Sequence, residues 1–400
     1  MSVREAAPAT AARPARRSLR PVGFGVILTT VLGLLFGVPW WTLLAAGTRW
    51  PTPVTAVGTG LFVVALAGFP VLMFQGHFRH RDLAARTGDT LLGVAWVLFV
   101  WALFGNVLRV GLAVAGVADP TRSRVVALAV AVVAAAVVGV GYVEAMRVPR
   151  VKRVDVTIDR LGAGLDGATV VLLTDTHYGP IDRSRWSAAV VAVVNDLDAD
   201  IVCHTGDIAD GTVAMRRGQA APLGQVRARL ARAYVTGNHE YMGEADGWLE
   251  HLRELGWQSL HNQHVVVSRG GARLVLAGVD DATAASSGRP GHRCDPVAAL
   301  AGAEPGLPVL LLAHQPKQVD LAVKHGVDLQ LSGHTHGGQI WPFHYLVRLD
   351  QPTVHGLSRH GERTQLYTSR GTGFWGPPLR FLAPSEITLL TLRAANPRSA

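Results

Sequence analysis

Cysteine is almost absent. Only Cys203, inside an apolar run, and Cys294, in a loop, occur in 400 residues. Two such residues build no disulfide framework, which suits a reducing compartment. Charge is scarce too: Asp, Glu, Lys and Arg make up 17% of the chain against 49% hydrophobic residues, and the apolar residues concentrate before about residue 145. That imbalance excludes a single water-soluble domain. The chain is long enough for two units with a core each, and a membrane part followed by a soluble part is the natural division. Internal repeats are also missing. So is a stripe of basic and aromatic residues: the net charge of +9 sits largely beside apolar segments, so it reads as a topology signal and not as a nucleic-acid surface.

What is present begins with an Ala-, Pro- and Arg-rich tail over residues 1–20, without apolar periodicity and expected to be disordered. Its Arg16-Arg17 pair resembles a twin-arginine export signal. Further hydrophobic stretches follow in place of a mature soluble domain, and this favours a basic anchor for the first helix. Apolar stretches lie near residues 22–46, 54–74, 91–115 and 125–143, each meeting or nearly meeting the roughly 20 residues that cross a hydrocarbon core. The expectation is therefore an all-α transmembrane bundle of four spans over residues 21–145. Trp40, Trp41, Trp50 and Tyr142 fall near span ends, where amphipathic rings prefer to sit. Arg109 lies late in the third span, and snorkelling to the far interface explains it better than an intramembrane function.

Basic residues in the connecting segments set the orientation. The tail, the second loop (Arg79, Arg81, Arg86) and the segment after the last span (Arg147, Arg150, Lys152, Arg153) are richer than the first loop (Arg49); the third, with Arg122 and Arg124, weakens the contrast. The alternation predicts an integral, multi-pass cell-membrane protein with both termini and the C-terminal domain in the cytoplasm.

From about Val151 the texture changes to short apolar runs separated by Gly, Pro, Asp and helix-like segments. Helices are expected over residues 184–195, 223–232 and 248–255. Strands are expected at Val170-Val171-Leu172-Leu173, Ile201-Val202-Cys203, Ala233-Tyr234-Val235, 274–277, Val309-Leu310-Leu311-Leu312, 327–331, 365–368 and 386–392. Alternating strands and helices indicate a layered α/β domain over residues 151–395.

Five of those strands end in a small or polar turn carrying an acid, an amide or an imidazole. Asp175 and His177 follow the first, Gly206-Asp207 the second, Gly237-Asn238-His239-Glu240 the third, and His314 the fourth. Ser332-Gly333-His334-Thr335-His336-Gly337-Gly338 closes the fifth. Ligands gather at the carboxyl ends of strands in α/β sheets. Each residue alone has an ordinary reading as a turn, a cap or a strand end. Together, Asp175, His177, Asp207, Asn238, His314, His334 and His336 supply hard oxygens and imidazoles with no thiol. Such donors suit divalent Mn, Fe, Zn, Co or Ni without choosing among them. Asp210 and Glu240 read as groups that orient ligands. Arg370, on a glycine-flanked turn, is a candidate for substrate phosphate, with a structural salt bridge as its alternative. Gln339-Ile340-Trp341-Pro342-Phe343 and Gly373-Phe374-Trp375-Gly376 bring aromatics near the site, either to meet acyl chains or the membrane surface or simply to pack.

These motifs, Asp175-x-His177, Gly206-Asp207-x-x-Asp210, Gly237-Asn238-His239-Glu240, His314 and Gly333-His334-x-His336, resemble the complete signature of the calcineurin-like metallophosphoesterases over about residues 150–395. Ser369-Arg370-Gly371-x-Gly373, Pro377-Pro378-x-Arg380 and Pro384-x-Glu386 further resemble its membrane-associated phosphodiesterase branch. Some members of that branch act on the pyrophosphate of UDP-2,3-diacylglucosamine. The resemblance implies a two-sheet β sandwich flanked by helices. It also implies two divalent metal ions: the first would be held by Asp175, His177, Asp207 and His336, the second by Asp207, Asn238, His314 and His334. His239 would protonate the leaving group or stabilise phosphoryl charge.

The resulting expectation is a membrane-anchored dinuclear metal-dependent phosphohydrolase, a phosphodiesterase for a lipid-linked or membrane-proximal phosphoester or pyrophosphate. One alternative is a hydrolase of soluble nucleotides or phosphomonoesters that uses the membrane only as an address. A second is a membrane sensor with a regulatory phosphoesterase-like domain, which the intact ligand set disfavours. The expected partners are the bilayer and the phosphoester substrate; the sequence leaves the oligomeric state open.

Overall fold

The computed structural model describes residues 20–395; apart from Arg20, the tail expected over residues 1–20 lies outside them. Four helices come first: α1 (Arg20–Trp40), α2 (Thr52–Met73), α3 (Asp82–Val114) and α4 (Thr121–Met146). Away from its ends each is predominantly apolar on every side, as a helix facing lipid must be. Pro51 and Pro120 sit just before α2 and α4, where a missing amide hydrogen costs the helix nothing. All four are long and apolar enough to cross a membrane, α1 and α2 each being extended by one wider turn, Trp41–Ala45 and Phe74–Phe78. Arg109 stacks its guanidinium 4.2 Å from the Trp41 ring and donates to the Ala46 carbonyl at 3.4 Å.

Helix α3 begins nine residues before the apolar run at Leu91. The added turns carry Asp82, Arg86 and Asp89, charges that hydrocarbon would not accept. Asp82 is anchored instead on the second domain, where it receives both terminal nitrogens of Arg216 at 2.5 and 2.9 Å, and Asp89 Oδ1 lies 2.8 Å from His77 Nε2.

The second domain is a sandwich of two six-stranded mixed sheets. Its strands are β1 (Arg150–Ile158), β2 (Thr169–Leu173), β3 (Ile201–His204), β4 (Ala231–Tyr234), β5 (Gln258–Ser259) and β6 (Gln263–Arg269). They continue with β7 (Ala272–Gly278), β8 (Val309–Leu312), β9 (Leu329–Ser332), β10 (Gly356–His360), β11 (Thr364–Thr368) and β12 (Glu386–Ala394). One sheet runs β1-β12-β2-β3-β4-β5, the other β10-β11-β9-β8-β7-β6. In the first, β2, β3, β4 and β5 are parallel; in the second, β11, β9, β8 and β7 are.

Period two decides which residues meet between the sheets. Val170, Leu172, Ile201 and Cys203 of one face pack on Leu274, Leu276, Leu310, Leu312, Leu329 and Leu331 of the other, all fully buried. Each large apolar side chain so placed contributes about 1.5–3 kcal/mol relative to exposure. The alternate residues Val171, Leu173 and Val202 face outward under α5 (Ser184–Asp196) and Trp248 and Leu252 of a helix over Ala245–Glu254. Residues 223–232, expected to be helical, are not. A short 3-10 turn, Ala221–Gln225, contains Pro222 and Gly224 and stops there. The Arg229 and Leu230 amides then donate to the Ala199 and Asp200 carbonyls as the chain extends into β4.

The sandwich lies directly against the spans. Trp341 stacks on Phe104 of α3 at 5.8 Å between ring centroids, and Phe343 meets Trp96 edge-on at 5.7 Å. Ile340 and Leu379 share a buried cluster with Val97 of α3 and with Ala134 and Val137 of α4. Arg380 donates its amide hydrogen to the Gly141 carbonyl of α4 at 2.9 Å. Gly93 makes this approach possible, because a Cβ there would stand 2.8 Å from both Pro377 and Leu379. Gly93→Leu is expected to weaken the contact by about 1–3 kcal/mol. The measurement is amide hydrogen exchange of the full chain in nanodiscs. Exchange should accelerate over residues 337–347 and 373–382 while β2, β3 and β8 keep their protection; unchanged exchange would mean that the two parts do not pack in this way.

Candidate metal centre

Five turns deliver the site, three from the ends of β2, β3 and β4 in one sheet and two from β8 and β9 in the other. Asp175, His177, Asp207, His334 and His336 all adopt positive φ, between 43° and 69°. This conformation is uncommon for residues with a Cβ and persists where the surroundings enforce it, often at functional sites. Here glycines make the room. A Cβ on Gly333 would overlap the Thr174 hydroxyl and the Asp175 carboxylate, and one on Gly237 would overlap Asp207.

The turns bring the side chains into two adjoining groups. Asp175, His177 and His336 form one, and Asp207, His314 and His334 the other, each with ligand atoms within 4.8 Å of one another. His177 Nε2 lies 3.1 Å from His336 Nε2, and His314 Nε2 lies 3.3 Å from His334 Nδ1 and 3.1 Å from Asn238 Oδ1. Asp207 stands between the groups. Its Oδ2 is 3.2 Å from His314 Nε2 and 3.6 Å from His177 Nε2, while Oδ1 accepts the His239 amide hydrogen at 2.8 Å.

Surrounding groups fix these orientations. His314 Nδ1 bonds the Thr205 carbonyl at 2.7 Å, which presents Nε2 to the centre. The buried Glu240 carboxylate accepts the amide hydrogens of Gly237, Asp207 and Ile208, tying the β3 and β4 turns together. Asp210 Oδ1 holds His177 Nδ1 at 3.0 Å and His239 Nδ1 at 2.7 Å.

The electrostatics fit cations. Burial pushes His334 down to about 3 and His336 well below the usual imidazole range, leaving both neutral with lone pairs to offer. Burial also disfavours a charged His314, yet the Asp207 and Asp175 carboxylates pull it well above its ordinary value. Burial likewise opposes protonation of His239, but Asp207 and Asp210 outweigh it and raise the group to about 9. Buried carboxylate oxygens and the neutral imidazoles of His334 and His336 are a suitable donor set for divalent metal.

A cavity of about 460 Å³ opens over this centre. Asp207, Asn238, His239, His334 and His336 line its polar end; Leu92, Gly93 and Trp96 of α3, with Ile340, Phe343 and Leu346, line the rest. Arg370, whose stem lies beside Gly337, belongs to neither ligand group. It is not in the cavity wall, and among the described residues its guanidinium has no acidic partner, its Nη2 lying 3.3 Å from His355 Nε2. The neighbouring Arg380 does more: fully buried, it donates to the carbonyls of His336, Gly373, Ala383 and Arg370, and its Nη2 lies 3.1 Å from His336 Nδ1. The Pro377-Pro378-x-Arg380 string was its only sequence signal. Leu92 and Trp96 had none, since nothing local distinguishes them from other lipid-facing residues.

The Calcineurin-like phosphoesterase pattern matches residues 168–338. A Bos taurus protein named "Transmembrane protein with metallophosphoesterase domain" is 38% identical over 311 residues, which cover 75% of this chain and 68% of the bovine one. The chain belongs to the calcineurin-like metallophosphoesterases. A Danio rerio protein of the same name is 39% identical over 281 residues, covering 68% of this chain. The match spans 63% of the zebrafish protein's length. An uncharacterized metallophosphoesterase of Campylobacter jejuni is 33% identical over 342 residues, 83% of this chain and 88% of its own.

Because Gly333 faces the Asp175 carboxylate so closely, Gly333→Ala in this metallophosphoesterase should lower stability by about 1–3 kcal/mol. Thermal denaturation in detergent checks this, and an unchanged transition would show that the β9 turn relaxes around a methyl group.

Proposed function

We propose that the chain is a membrane-anchored, dinuclear metal-dependent phosphodiesterase acting on a lipid-linked phosphoester or pyrophosphate. The observation that carries this reading is the cavity, whose polar end holds the candidate ligands while its apolar wall includes a membrane-spanning helix. A soluble nucleotide has no use for such a wall; an acyl chain attached to the reacting phosphate does. The distribution of basic residues supports placing the catalytic domain, taken as residues 151–395, on the cytoplasmic side of the cell membrane.

Asp175, His177, Asp207 and His336 would hold one divalent cation, and Asp207, Asn238, His314 and His334 a second, with Asp207 shared. Bound there, the two cations would supply Lewis acidity to the phosphoryl oxygens and lower the pKa of water towards neutrality. Hydroxide adds to phosphorus as the bond to the leaving oxygen breaks. His239, its Nδ1 fixed on Asp210 at 2.7 Å, gives its other ring proton to that oxygen. Its elevated pKa keeps the proton available at neutral pH.

His239→Ala should retain metal and lose about 10²- to 10⁴-fold in turnover; parallel loss of metal, measured by elemental analysis, would make it a ligand or a structural residue. Hydrolysis of bis(p-nitrophenyl) phosphate and of p-nitrophenyl phosphate by metal-stripped protein, resupplied with Mn, Zn or Mg, tests the reaction class. Diester cleavage should depend on metal and vanish in Asp207→Asn. The substrate class is tested by Trp96→Ala, which should reduce turnover of a phospholipid diester in vesicles more than turnover of the soluble diester. Equal effects on both would favour a water-soluble substrate.

A further inference from the structure

The segment 341–349 follows the metal-site turn and has no evident role in holding ligands. It is nevertheless strongly apolar, and it lies where water should not be. Phe104, which stacks on Trp341, is 13 residues beyond Leu91, the first residue of the uninterrupted apolar run of α3. At 1.5 Å per residue that is about 20 Å along the helix, well inside a hydrocarbon layer of about 30 Å. Phe343 contacts the same helix two turns earlier, at Trp96. Beyond these contacts the segment turns Tyr345 and Leu349 outward, with 59% and 83% of their surfaces exposed, and the nearby Leu382 is 70% exposed.

In water such a cluster would be costly. In a bilayer it would be favourable, provided that the backbone satisfied its own hydrogen bonds. It does: the amides of Tyr345, Leu346, Val347, Arg348 and Leu349 each donate to a carbonyl three or four residues back, in and around the helical turn His344–Val347, and the Trp341 amide donates to Phe381. Arg348 follows the apolar residues and can extend to the polar interface while its stem stays in the apolar layer.

We infer that this segment is a re-entrant wedge that enters the bilayer from the catalytic-domain side, lies among the acyl chains and is seated on α3. The domain is then held in the membrane twice, by four spans before it and by a monotopic insertion within it. The acyl chains are the occupant because the segment continues the lipid-facing surface of the helix on which it packs. The inference is independent of the chemistry proposed for the metal centre.

A nitroxide placed at Tyr345→Cys, and separately at Leu349→Cys, tests it in the full-length chain in phosphatidylcholine nanodiscs. The background is Cys294→Ser, Cys203 being fully buried. Collision with molecular oxygen, which partitions into lipid, is compared with collision with a water-soluble nickel chelate. Val297→Cys on the sandwich and Leu128→Cys on α4, both exposed, give the water and lipid references. Oxygen-dominated relaxation matching Leu128 at both wedge positions is the expected result. Nickel-dominated relaxation matching Val297 at either position overturns the wedge. Turnover plays no part in the readout, so failure here and failure of the phosphodiesterase reading are separable.

Discussion

The Asp207 carboxylate has to serve three neighbours at once: the His314 imidazole, the His177 imidazole and the His239 amide. These come from different turns and from both sheets. A carboxylate buried to this degree is costly unless its surroundings supply hydrogen bonds and positive charge. The sandwich therefore has to bring the carboxyl ends of β2, β3, β4, β8 and β9 to one edge, and the five positive-φ residues record how tightly the turns are drawn. Glu240 acts on the same constraint from behind, by fastening the β3 turn to the β4 turn through three amide hydrogens.

The tryptophan and glycine positions of α3 extend that organisation into the membrane. Helix α3 forms part of the wall of the cavity over the candidate metal centre, and through Asp82 it also grips Arg216. The Arg216 Nε in turn donates to the carbonyl of Asp210, the residue that orients both His177 and His239. Helix α3, Arg216 and Asp210 are thus connected by direct contacts.

Much of the fold was legible because its signals are local. An apolar run of four or five residues that stops at Gly, Asp or His marks a strand and its end, and Val309–Leu312 is found where the sequence places it. The same logic gathered Asp175, His177, Asp207, Asn238, His314, His334 and His336 in advance, since each follows such a run. What escaped was settled over distance. Residues 223–232 contain good helix formers, but the Arg229 and Leu230 amides find partners at Ala199 and Asp200, and extended backbone wins. The early start of α3 depends on Arg216, more than a hundred residues away. Arg370 and Arg380 both sit in glycine- and proline-rich sequence, and only the tertiary arrangement shows that the second is the one buried against His336.

The seam between sandwich and spans bears on what a shortened protein would be. Cutting the chain before β1, in the hope of a freely soluble enzyme, would remove Val97, Phe104, Ala134 and Val137 from Ile340, Trp341 and Leu379. It would leave the cavity without the wall that Leu92 and Trp96 provide. The piece that remained would carry every candidate ligand and still be an incomplete container, greasy where it had been covered and prone to self-association. For this architecture the walls of the candidate site belong to helix α3 as well as to the sandwich.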